Sequence, residues 1–347
     1  MLNSLAYLEK LLYLCTAKQL NTMKKLSTLL FVLVASINLW ATEGALSGKF
    51  TINAQGDKIV FSQGNLRATT SDLGEHWTWS FAEHQYDYIG DNAPNYSING
   101  NGTVSSNGTL DLFGWSAAPT YYGIVTSNYS GAFVDWGSNA ITNGGNEANL
   151  WRTLTIDEWV YLFYTRENAA TLFGMGSVND VNGTILLPDN WVLPTGASFT
   201  ASTTQGLADQ GSYYFNSNGD NFSHNAYTTE QWEVMESAGA VFLPAAGYRF
   251  YSIESVNSYG YYWSATPASY TYYACYIYFD SYNLNPQADN DRQYGFSVRL
   301  VQAAPNGGAT AINTANADAN ATKRIVNGQL LIEKNGIRYN ALGAEVK

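Results

Sequence analysis

Apolar and polar positions alternate with period two through much of this chain, and the first clear instance is GKFTINAQGDKIVFSQGNLRA from Gly48. Phe50 and Ile52 alternate with Thr51 and Asn53, Gln55-Gly56-Asp57 supplies turn residues, and Ile59 and Phe61 resume the pattern. This spacing predicts an opening β-hairpin. From Trp77 to Trp136 the apolar positions become aromatic and isolated, in WTWSFAEHQYDYIG, LDLFGWS and GAFVDWG, with Gly- and Asn-rich runs between them. Loops packed by their own aromatic anchors are expected there, with Trp77, Trp79 and Phe81 on a shared core face.

The period changes in TLTIDEWVYLFYTRENA. Thr155 and Glu158 have capping-box spacing, and Trp159, Leu162 and Phe163 recur at helical intervals, so a helix starts there. YTTEQWEVMESAG predicts a second, shorter helix from Thr228 or Thr229, with Trp232 and Met235 inward. Between them, VNGTILLPDNWVLP reads as an Asn182-Gly183 hairpin turn before an apolar strand. AVFLPAAGYR, GYYWSATP, YYACYIYFD and GFSVRLV follow as strands. Two helices and a cluster of antiparallel strands predict an α+β domain over residues 42–302. Residues 303–322 have a linker composition, and 323–347 carry two Asn-Gly pairs among alternating apolar residues, which predicts a small β tail.

Of the 347 residues, 46% are apolar, enough for a sizeable core. Charged residues are only 13% and the net charge is −11, so nucleic acid and anionic lipid surfaces are excluded as natural partners. Met23-Lys24-Lys25, the apolar run Leu26 to Val34 and the small Ala41 predict a signal peptide that starts at Met23 and ends before Thr42. The run is far short of the roughly 20 residues that span a bilayer, so no integral membrane segment is expected in the mature chain. Residues before Met23 are read as an upstream extension, and the export machinery as a partner. Secretion is therefore expected.

The mature chain then holds one thiol, Cys275, and no disulfide. His76, His84 and His224 have no ligand-type spacing and are read as surface or capping residues. Asp157 and Glu158 fall in a helix first turn, where capping accounts for them. DNW at Asp189 and DNDR at Asp289 offer oxygen atoms, but solvated loop acids are the expectation. Cofactors, metals and catalytic residues are all expected to be absent.

The strongest functional signal is SYTYYACYIYFDSYNLNPQADNDRQYGFSVRL, because ten of the 26 tyrosines lie between Tyr259 and Tyr294. On a strand, Tyr273, Cys275, Ile277 and Phe279 share the inward side, while Tyr272, Ala274, Tyr276, Tyr278 and Asp280 share the other. A polar loop, Ser281 to Gln293, is expected beside the outward phenols. Tyrosine offers rigid amphipathic area, and Asn, Ser and Asp offer adaptable hydrogen bonds. The expected ligand-binding set is therefore Tyr272, Tyr276, Tyr278, Asp280, Tyr282, Asn283, Asn285, Asp289, Asn290, Asp291 and Arg292, facing a protein or glycan. Substitutions in WVLPTG are expected to hurt folding instead.

WRTLTIDEWVYLF, WVLPTGASF, VFLPAAGYR, GYYWSATP and GFSVRLV, in that order, resemble the C-type-lectin-like fold of formylglycine-generating enzymes, "major paralogous domain" surface proteins and retroelement variable proteins. The resemblance covers about Trp151 to Val301 and implies a ligand face on the final strands and the long loop before them. Residues 45 to 150 match less well and read as an elaboration of that domain. Formylglycine-generating enzymes use a copper-binding cysteine pair and their sulfoxide-synthase relatives a histidine-rich iron site; this chain departs from both. Retroelement diversification would act at Tyr282, Asn283, Asn285, Asp289, Asn290 and Asp291, although the chain continues well past them. NGIRYNALGAEVK resembles a type IX sorting segment, which implies secretion or display at the cell surface, associated with the outer membrane. A binding protein is the expectation, with a relocated enzyme site or a structural adhesin or surface-layer subunit as alternatives.

Overall fold

Asn53 sets the opening turn: its Oδ1 accepts the backbone N–H groups of Gln55 and Asp57, both at 3.1 Å, and Gly56 takes the left-handed conformation. Strand β1 (Phe50–Thr51) thereby folds back on β2 (Lys58–Phe61), with Phe50 opposite Ile59. The expected hairpin is present. The computed structural model describes residues 43–91, 104–117, 128–202, 204–207, 213–215, 221–305, 321–326, 329–334 and 337–339, with only the backbone for 204–207, 213–215 and those beyond 305. The expected signal peptide lies outside the described residues.

The chain continues through β3 (Leu66–Thr70), β4 (Thr78–Phe81), β5 (Gly108–Leu110) and β6 (Arg152–Thr153) to helix α1 (Ile156–Val160). Thr155 and Glu158 form the expected reciprocal cap, and a π-helical turn, Tyr161–Thr165, extends the helix. Strands β7 (Phe173–Val178), β8 (Val181–Leu186), β9 (Thr204–Leu207), β10 (Tyr213–Phe215) and β11 (Ala226–Tyr227) precede helix α2 (Thr229–Ser237), capped by Thr228. Then come β12 (Val241–Pro244), β13 (Tyr248–Phe250), β14 (Ser252–Glu254), β15 (Gly260–Pro267), β16 (Tyr273–Phe279), β17 (Asn283–Asp291) and β18 (Leu300–Ala303). The protein is thus α+β, mostly strand, with two short helices and several antiparallel sheets.

The turn before β8 differs from expectation. It is made by Asn179 and Asp180, both left-handed, which joins Val178 to Val181 across a two-residue hairpin. Asn182 and Gly183 lie inside β8 instead. Gly183 is needed there because a Cβ would come within 2.4 Å of the Leu243 carbonyl oxygen.

The described residues up to 304 form one compact unit and those from 305 on another. In the first, β18 pairs with β2 and β6, so the last strand of the unit lies beside the first hairpin. Ala304 adds a bond from its N–H to the Lys58 carbonyl, so the expected linker begins only after it. The second unit contains an antiparallel meander of β19 (Ala321–Val326), β20 (Gln329–Lys334) and β21 (Ile337–Tyr339). Its Asn-Gly pairs fall between those strands, outside the described residues.

Asp189 shows what a solvated loop acid is not. It accepts from the Thr51 backbone and hydroxyl and pairs with Lys58 at 3.0 Å and Arg166 at 3.4 Å. Burial opposes its charge, but the bonds from Thr51 and Lys58 outweigh that and hold its carboxyl below the ordinary range. Val192 and Leu193 of WVLPTG are 80% and 44% exposed, so of these apolar side chains only half-buried Trp191 packs on a core cluster. The expectation that this segment as a whole sustains folding is corrected accordingly.

Candidate ligand-binding face

The β15–β16–β17 sheet separates two cores. Tyr262, Ile277, Phe279 and Leu284 enter a cluster with Phe61, Trp159 and Phe163 from the opening hairpin and the α1 segment. Trp263, Ala274 and Tyr276 enter a second cluster with Trp79, Phe113, Trp115 and Phe296. Those aromatic anchors are locked in place: the Trp115 indole N–H donates to the Ser264 carbonyl at 2.8 Å and that of Trp263 to the Phe113 carbonyl at 2.7 Å. Residues from the aromatic loops thus cover much of the face that alternation alone leaves for a ligand.

Several expected positions move as a result. Tyr276 is buried, 8% exposed, rather than an outward anchor. The expected polar loop is largely strand β17, paired with β16 on one side and β10 on the other. A bulge in β17 places Tyr276 opposite Ala288 but Tyr278 opposite Asn285. Asp280 is buried because it builds the turn: Oδ1 accepts the N–H groups of Tyr282 at 2.6 Å and Asn283 at 2.8 Å, and Oδ2 accepts the Tyr278 hydroxyl. Arg292 is buried as well. Its guanidinium lies 4.3 Å from the Trp115 ring centre and donates to the Tyr273 and Gly131 carbonyls.

The remaining positions do not form one surface. Tyr272 is 42% exposed beside Tyr270 at the far end of β16, about 20 Å along the strand from Tyr282, which is 48% exposed. Asn283, Asn285, Asn290 and Asp291 are half-buried, and Asp291 accepts from the Asn128 amide. Exposed Asp289 sits opposite Cys275, on the other face from Tyr276. Cys275 is half-buried rather than fully enclosed, and burial pushes its thiol up to about 11. It is therefore protonated at neutral pH and a poor nucleophile.

What the structure does assemble is a band of touching rings that sequence reasoning largely missed. Tyr251 is 75% exposed and meets Phe250 at 4.4 Å, and Phe250 stacks on Tyr294 at 4.4 Å. Tyr294 leads to Tyr248 at 5.8 Å, Tyr248 to Tyr261 at 5.2 Å, and Tyr261 to Tyr278 at 5.3 Å. Tyr259 stacks beside Tyr278 at 5.8 Å. All but Tyr251 are half-buried, so each is held from beneath and open above. Burial, with Asp280 as hydrogen-bond acceptor, pushes the Tyr278 hydroxyl far above its ordinary range, and burial moves Tyr261 the same way. A tyrosine count begun at Tyr248 rather than Tyr259 would have pointed to this band.

The band ends at a cavity of about 230 Å³ beside the β16–β17 turn. Phe222, Tyr259 and Tyr282 give it rings, Asn182 and Asn257 amides, Ser258 and Ser281 hydroxyls, and Asp280 the one carboxylate among the described residues. A second cavity, about 250 Å³, lies against α2 between Gly196, Tyr227 and Val234.

Among the described residues no three His, Cys, Asp or Glu side chains are grouped to hold a metal, and no helix is long and apolar enough to cross a membrane. His76 pairs with Asp72 at 2.6 Å on the surface, and His84 stacks on Tyr86. A family model described as a domain of unknown function, DUF8237, matches residues 216–301, from β11 and α2 through the tyrosine hairpin to β18. No curated protein and no solved structure matches the chain. The matched segment, about a quarter of the sequence, is similar to that family and contains the whole of the aromatic band.

Proposed function

We propose that the chain is a secreted or surface-displayed, non-enzymatic binding protein with a C-type-lectin-like domain, which holds a protein or glycan on the tyrosine band and the pocket at its end. The observation that carries this reading is the band itself. Tyr251, Phe250, Tyr294, Tyr248, Tyr261 and Tyr278 touch in sequence and are half-open to solvent. Rings fixed by one another lose little entropy when a ligand arrives, and phenol hydroxyls at their rims supply hydrogen bonds. The protonated Cys275 thiol and the structural duties of Asp189 and Asp280 favour binding over catalysis. Diversification within β17 would change side chains on a strand whose backbone is held by β16 over most of its length and by β10 at Asn283 and Leu284, which preserves the scaffold.

A glycan array and a pull-down from extracts of neighbouring cells test this reading, with Tyr251→Ala, Tyr294→Ala as the comparison. Anchors of this type cost about 2 kcal/mol on truncation, roughly thirtyfold in affinity. Loss of capture without a large fall in thermal midpoint is expected. A captured ligand that binds the double variant as tightly as the parent would remove the band as the site.

A further inference from the structure

We infer that the cavity at the β16–β17 turn is a calcium-independent subsite for one neutral sugar ring. This deepens the binding reading above and rests on it. Three features of the cavity select that chemistry. Its size, about 230 Å³, leaves room for several water-sized groups, each occupying roughly 30 Å³ in the liquid, which suits a single small polar ring rather than a peptide or lipid chain.

The second feature is the split between groups already used and groups available. Asp280 is committed to the Tyr278 hydroxyl and to the Tyr282 and Asn283 N–H groups, and the Asn283 amide approaches both of its oxygens at 3.1 and 3.2 Å. Asn257 is likewise engaged: its Oδ1 accepts the Asn182 N–H and its amide donates to the Asp180 carbonyl. By contrast, the Tyr259, Tyr282 and Ser281 hydroxyls and the Asn182 Oδ1 make no hydrogen bond to the described residues. They surround the cavity as a mixed set of donors and acceptors, which complements a polyol, itself a donor and acceptor at every carbon.

The third feature is charge. Among the described residues the cavity has no cation to meet an acidic ligand, and its saturated Asp280 carboxylate leaves no ligand set there for a metal or ammonium. Exposed Tyr282 offers an aromatic face to the C–H face of a sugar, the amphipathic match for which such rings are suited, beside the Tyr259 ring that stacks on Tyr278.

Saturation-transfer NMR and calorimetry on the whole protein in EDTA test the inference, with glucose, galactose, mannose and N-acetylglucosamine as probes and glucuronate as the anionic comparator. At least one neutral sugar should bind in the millimolar range and glucuronate about tenfold or more weakly. Tyr282→Ala should weaken binding about tenfold or more, and Ser258→Trp, at an exposed position, should fill the cavity and abolish it, both with unchanged thermal midpoints. The inference falls if no neutral sugar binds, if EDTA abolishes binding, or if both variants bind like the parent. A protein captured through the tyrosine band when no sugar binds would sink the subsite and leave the binding reading standing. Failure to capture any ligand would remove both.

Discussion

The Tyr276 ring lies 4.8 Å from the Phe296 ring, and this contact separates the fold of the tyrosine strand from its function. Trp263 closes on the same ring edge-on at 5.9 Å, so Tyr276 is a core residue with its back to solvent. Tyr276→Ala should therefore destabilise by about 3–5 kcal/mol, as other buried aromatic truncations do. Urea unfolding measures this directly. A variant as stable as the parent would show that the second core is not packed as described.

Asp280 carries the turn that shapes both the end of the band and the sugar cavity. Replacing it by Ala leaves the Tyr282 and Asn283 N–H groups and the Tyr278 hydroxyl without their acceptor. A loss of about 2 kcal/mol is expected, since each unmatched polar group costs on the order of 1–3 kcal/mol unless water reaches it. Asp280→Asn keeps one acceptor and should fall between parent and Ala. Equal midpoints for all three in thermal unfolding would contradict the role of the carboxylate.

Alkali should unfold the protein. Burial pushes Tyr227, Tyr248 and Tyr276 up to about 12 and the Cys275 thiol to about 11, and moves Tyr261, Tyr262 and Tyr278 further in the same direction. Unfolded tyrosines lose their proton near pH 10. Between the unfolded and folded values the native state binds more protons, so the stability is fully present below the unfolded value and is lost as pH rises through the folded one. The urea midpoint should be lower near pH 11 than near pH 8. At about pH 8 a thiol probe should label folded Cys275 roughly a hundredfold more slowly than unfolded chain, because its ionisation lies about two pH units higher. Rapid native labelling would contradict the environment assigned to the thiol.

Arg249 is 3% exposed, and its Nε and Nη2 have no hydrogen-bond partner among the described residues. Burial pushes the guanidinium down to about 10, which still leaves it charged at neutral pH. Among the described residues no carboxylate pairs with it. An uncompensated buried charge costs several kcal/mol, so Arg249→Met should be as stable as the parent or more stable by about 1–2 kcal/mol. A large loss in chemical denaturation would point to a partner for this side chain.

Local rules were legible in the sequence, and long-range cover was not. Thr155 and Thr228 announced their helices because capping depends on residues three apart. Trp79 and Phe81 kept the inward face that alternation assigned them. Alternation also separated Ile277 and Phe279 from Ala274 and Tyr276, but it could not say that both sides are covered. The cover on the second side comes from Phe113 and Trp115, about 150 residues away, with no local pattern to reveal it. For a similar reason the sequence suggests a hairpin turn at Asn182-Gly183: a glycine required by the approach of the Leu243 carbonyl looks, in one dimension, like a glycine required by a turn.

The pairing of β2 with β18 makes this unit a candidate guest domain. Phe50 sits opposite Ile59, and Ile59 opposite Ala303, so the entering and leaving chain are two strand spacings apart, about 10 Å. Ends that close can be joined by a short bridge and reopened at an exposed loop, or spliced into the surface turn of another protein without stretching either host or guest. The same neighbourhood sets the order of folding: this sheet cannot close until its last strand has been made, so its completion must await nearly the whole of the unit.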